Sequence, residues 1–146
     1  MRPARVAPRL RAELTEDVTA FIESVRTAFL ATASADGQPY VQHRGGPPGF
    51  LHVLDESTVA FADLRGNRQY LSLSNLAENP KVALILMDYE HGQRVKLWGT
   101  AKVSEDPSLI AMLTPKGARA DQVILVHVTA WDANCPAHIP RLVPVE

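Results

Sequence analysis

The chain has 146 residues, 46% of them apolar and 21% charged, with a formal net charge of −1, which is the size of one domain and too apolar for a disordered polypeptide. Acids and bases are interspersed, so no global field favours nucleic acid or an anionic membrane. Cys135 is the single cysteine, which excludes an intramolecular disulfide, and runs such as Val82-Ala83-Leu84-Ile85-Leu86-Met87 fall far short of the ~20 residues a spanning helix needs. No leader pattern opens the chain, and a reducing cytoplasm is the expected compartment.

Residues 1–14 read as an N-terminal arm, with Arg2, Arg5, Arg9 and Arg11 among Pro3 and Pro8, a composition that suits a frayed terminus better than a docking arm. After Thr15, a candidate N-cap followed by Glu16 and Asp17, the residues Val18, Phe21, Ile22 and Val25 recur at helical spacing and predict an amphipathic helix. Phe29 to Ala33 and Tyr40 to His43 flank Asp36-Gly37, a two-residue hairpin signal. Arg44-Gly45-Gly46-Pro47-Pro48-Gly49 interrupts the pattern, then Phe50 to Leu54 and Thr58 to Ala62 predict two further strands. A short helix is expected over Arg68 to Leu76, stopped at Glu78-Asn79-Pro80, and another over Ser104 to Leu113 with Pro107 in its first turn. Val82 to Asp88, Val95 to Val103 and Gln122 to Trp131 complete about seven strands. Helices are too few to alternate with them, so the pattern favours a mostly β fold, an antiparallel sheet closed into a barrel with peripheral helices, over a doubly wound parallel sheet.

Two segments invite chemistry. In Phe61-Ala62-Asp63-Leu64-Arg65-Gly66-Asn67-Arg68-Gln69 an alternating run breaks into a turn carrying two arginines and then starts a helix, where free backbone N–H groups and the helix dipole favour a phosphate. In Gln42-His43-Arg44-Gly45-Gly46-Pro47-Pro48-Gly49 paired glycines let backbone approach a planar ligand while the prolines stiffen the loop. His43 is the histidine placed to donate a proton there. Cys135-Pro136-Ala137-His138 lacks the second ligand pair a zinc site needs, and a proline-flanked tail offers no evident activation of a thiolate.

The order and spacing of Phe29-Leu30-Ala31-Thr32, Asp36-Gly37-Gln38-Pro39, Val59-Ala60-Phe61-Ala62-Asp63, Gly66-Asn67-Arg68-Gln69, Leu76-Ala77-Glu78-Asn79-Pro80 and Trp98-Gly99-Thr100-Ala101 resemble the pyridoxamine 5′-phosphate oxidase-related, FMN-binding split-barrel family. The resemblance implies an antiparallel split β-barrel over residues 15–131 and a C-terminal tail, 132–146, that would cross onto a dimer partner. It implies FMN as cofactor in a homodimer, with Arg65, Asn67, Arg68 and Gln69 around the phosphate, Ala62 and Asp63 beside the flavin tail, and Gln42, His43, Arg44 and Gly45 along the ring. The expected activity is a flavin-dependent oxidoreductase acting with a small-molecule electron donor or acceptor. The alternatives are a deazaflavin-dependent reductase on the same fold, and a non-catalytic flavin- or haem-binding protein. Where the true oxidases resemble Arg-x-Val-Leu-Leu-Lys this chain has Gln42-His43-Arg44-Gly45-Gly46-Pro47, and no arginine follows Trp131, so oxidation of pyridoxamine phosphate itself is not implied.

Overall fold

The computed structural model describes residues 11–65, 70–133 and 137–145. Among these residues three helices and seven strands follow in the order α1 (Glu16–Ser24), β1 (Thr27–Ala33), β2 (Pro39–Gly45), β3 (His52–Asp55), β4 (Thr58–Leu64), α2 (Tyr70–Glu78), β5 (Lys81–Asp88), β6 (Gln93–Ser104), α3 (Pro107–Leu113) and β7 (Ala120–Ala133). The expected phosphate residues Asn67, Arg68 and Gln69, with Gly66, and the Cys135-Pro136 pair lie outside the described residues.

Capping chemistry places the helices. Thr15 caps α1 by accepting from the Val18 amide, Glu16 and Asp17 occupy its first turn, and Val18 and Ile22 are buried. Asp106 caps α3 by accepting from the Ser108 amide at 2.9 Å, with Pro107 at the start of the helix. Between β1 and β2 the connection runs over Ser34 to Gln38 rather than being a tight two-residue turn. The Ser34 amide donates to the Gln38 carbonyl, and Gly37, at φ +94°, supplies the left-handed position. Phe50 and Leu51, expected in a strand, are buried in the bend before β3 instead.

All seven strands form one antiparallel sheet in the order β2-β1-β5-β6-β7-β4-β3. Among the described residues no backbone hydrogen bond closes the sheet, so β2 and β3 are its edges and the barrel is split. Alternation of large and small residues explains how β4 is buried on both faces: Val59 and Phe61 enter the main core, while Ala60 and Ala62 face a second cluster with Leu113 of α3. Small side chains on that outer face let the helix sit close.

Two further features fix the barrel. Trp98 pairs with Ala130 but Gly99 pairs with Val128, so Thr129 is an extra residue on β7. Gly99 is required at this bulge, because a Cβ there would lie 1.9 Å from the His127 carbonyl oxygen. At the barrel end Arg11 exchanges backbone hydrogen bonds with Trp131, and its guanidinium lies 5.6 Å from the indole centroid. The tail's described part packs on its own chain: Ile139 is buried, and Arg141 and Leu142 donate to the carbonyls of Glu90 and Tyr89. No helix among the described residues is long and apolar enough to cross a membrane.

Gly99→Ala should cost about 1–3 kcal/mol by forcing apart the β6–β7 pair, and urea denaturation measures it as a lower midpoint.

Candidate functional site

Strand alternation divides the β2 residues between two faces. Gln42 and Arg44 point toward the barrel, Gln42 accepting from the Tyr40 hydroxyl, whereas His43 is exposed on the opposite face with its ring edge-on to Phe29 at 5.3 Å. The side chains of Gln42, His43 and Arg44 therefore cannot line one surface together. Gly45 and Gly46 owe their size to local packing. A Cβ at Gly45 would meet the His43 ring at 2.9 Å, and one at Gly46 would meet Cβ of Phe50 at 2.8 Å, where the Phe50 side chain turns back into the core.

Arg44 is 2% exposed, and its Nη1 donates to Oδ1 of Asp63 at 2.9 Å. The second carboxylate oxygen of Asp63 accepts from Nε2 of Gln122 on β7 at 2.8 Å. The guanidinium lies 5.5 Å from the Phe61 ring centroid. Burial pulls the Arg44 pKa below the ordinary guanidinium range, opposed by the hydrogen bond and charge of Asp63. The pair is thus an internally neutralised unit, with Asp63 committed at both oxygens. Nε and Nη2 of Arg44 have no partner among the described residues, and a void of about 10 Å³ lies against Arg44, Phe50, Phe61 and Pro115, the least space that admits one water.

Arg65 follows β4 by one residue and is exposed, but its Nε and Nη2 fork onto the carboxylate of Asp121 at 3.0 and 2.5 Å. That contact raises the Arg65 pKa and holds the Asp121 carboxyl below its usual range. An anion at this turn would have to compete with Asp121 for Arg65. Ala62 is buried against the α3 cluster rather than open at the strand end. The structure therefore brings Arg44, Gly45, Ala62 and Asp63 together at one end of the barrel, with Arg65 beginning the turn beside them. His43 is apart, on the outer sheet face.

Residue patterning did not identify Gln122 and Asp121. Both are ordinary strand-end polar residues in sequence, and only the β4–β7 register, which sets Asp63 opposite Gln122, gives them their partners. On the outer face, the registers align His43, Phe29, Ile85 and Lys96 in one row and Val41, Ala31, Ala83 and Trp98 in the next. None of these side chains is fully buried, and Val41 is 61% exposed, so an apolar strip crosses four strands.

Two outcomes follow. A high-resolution crystal structure should show one water within hydrogen-bonding distance of Arg44 Nε or Nη2. Asp121→Asn should leave the urea midpoint at pH 7 unchanged within error, since both partners are solvated. Because the folded-state pKa of Asp121 is lowered, any contribution of the pair is present above the ordinary aspartate range near 4. It is lost as pH falls through the lowered value.

The model of the family described as pyridoxamine 5′-phosphate oxidase matches residues 14–135. The Group A Streptococcus protein HupZ superposes with a TM-score of 0.64 at 18% identity, over 82% of this chain and 94% of that one. A Lactobacillus delbrueckii protein named after pyridoxamine 5′-phosphate oxidase gives 0.59 at 26% identity over 84% and 95%. A structure named F420 reductase gives 0.57 at 22% identity over 82% and 98%. No curated protein matches the chain. A family match spanning all seven described strands, on an open antiparallel barrel, establishes that the chain belongs to the pyridoxamine 5′-phosphate oxidase family.

Proposed function

We propose that the protein binds FMN non-covalently between two copies of the chain and acts as a flavin-dependent oxidoreductase on a small molecule. The observation that carries this reading is the meeting of the β2 and β4 ends through Arg44 and Asp63. It sets Gly45 near Arg65, where the arginine turn begins, and this supports a ring beside the first and a phosphate beyond the second.

The residues fit such a ligand in three respects. Among the described residues β2 pairs with β1 alone, so its other edge offers backbone donors and acceptors to the hydrogen-bonding rim of a flavin. The outer strip around Phe29, Val41 and Trp98 suits a ring or a second copy, and His43 stands in it as the candidate proton donor. Asp121 holds Arg65, which leaves Arg68 and Gln69, with Asn67, as the phosphate holders. Gln42 and Gly45 lie along the ring edge, and Ala62 and Asp63 lie behind the flavin tail. The flavin would supply the hydride acceptor or donor, and the protein's part is to bind, orient and exclude water.

The F420 reductase likeness supports the fold alone. A deazaflavin, with its longer acidic tail, would want more cations than a site in which Asp63 neutralises Arg44 and Asp121 engages Arg65.

In a fluorescence titration the parent should bind FMN more tightly than a deazaflavin, and NADH or NADPH should bleach the bound flavin. Arg68→Ala should weaken FMN about 10- to 100-fold, the worth of one charge-assisted contact, and Arg65→Ala should weaken it less. Equal FMN affinity in the parent and Arg68→Ala would refute the phosphate assignment. Sedimentation of a monomer with full FMN affinity would refute the shared site.

A further inference from the structure

We infer that Arg44, Asp63 and Gln122 form a clasp across the split of the barrel, a positioning group that sets the spacing of the two loops without touching the ligand. The sheet supplies no hydrogen bond across this seam. β2 is one edge, β3 is the other, and among the described residues the hydrogen bond from Arg44 to Asp63 is the one that joins β2 to either β3 or β4. Gln122 extends the link to β7, so three strands are keyed to one carboxylate.

A buried ion pair is a poor device for stability alone, because desolvation offsets most of the attraction and an apolar pair of equal shape does as well. What it provides is direction and a fixed length. Arg44 cannot slide, since Phe61 lies beneath its guanidinium and Asp63 takes Nη1 from one side and Gln122 from the other. Gly45 follows Arg44 directly, and Arg65 stands two positions after Asp63. Any change in the span of the clasp therefore moves Gly45, where the glycine loop begins, relative to Arg65.

That those loops hold FMN rests on the function proposed above; that the clasp holds the seam does not. The test is the double variant Arg44→Met/Asp63→Leu, which leaves no unpaired charge and should keep the parent's urea midpoint. In the ligand-free protein, hydrogen exchange at the amides of residues 42–46 should be at least tenfold faster than in the parent, and the FMN dissociation constant should rise at least tenfold. Unchanged exchange at residues 42–46 overturns the clasp, whatever happens to FMN. Faster exchange with unchanged FMN affinity overturns its positioning role. If the parent itself binds no FMN, the flavin reading fails, and faster exchange in the double variant still supports the clasp. Gln122→Leu, which frees one oxygen of Asp63 while keeping the ion pair, should shift both readouts in the same direction by less.

Discussion

Two strand ends that share no backbone hydrogen bond meet through a single carboxylate, and the arrangement of the barrel mouth depends on that contact. Charge buried at this depth is tolerated only when paired, so Arg44 and Asp63 must be placed together by the rest of the fold before either can be buried. The packing of Phe61 below and the return of Phe50 beside Gly46 shape the space in which they do so. The ion pair and the surrounding core therefore constrain one another: the apolar walls exclude water, and the pair keeps those walls at a set separation.

The same neutralisation governs the electrostatics at the barrel mouth. Arg44 and Arg65 each face a carboxylate, Asp63 from inside and Asp121 from the surface. The Arg44 charge is neutralised inside the protein, and the Arg65 charge is matched by Asp121 at the surface. Where β2 and β4 meet, the described residues are thus close to electrically neutral.

Much of the architecture was readable from the residues. Thr15 with two following acids, Asp36-Gly37, and the proline after Glu78-Asn79 each impose a local backbone state that survives folding, and the element boundaries followed them closely. Closure of the sheet was not readable, because a strand's periodicity says which face is buried and nothing about whether its edge is paired. The roles of Arg44 and Arg65 were hidden for a related reason. Their partners lie 19 and 56 residues away, and an arginine beside glycines looks available for a ligand until the register brings an aspartate to it. For Phe50 and Leu51, apolar character was read as strand, although burial in a bend satisfies the same residues.

The extra residue on β7 has a reach beyond its own turn of backbone. Side chains on a strand alternate, so unbroken pairing with no bulge at Thr129 would carry the inward set of Ile124, Val126 and Val128 on to Ala130 and put Trp131 outside the barrel. Counting one residue more reverses the parity for the remainder of the strand, and Trp131 joins the core, where its ring meets Arg11 and its indole N–H reaches the carbonyl of Glu13. The place where the strand takes up its extra residue thus decides whether the segment before the helix at Glu16–Ser24 has anything to anchor to.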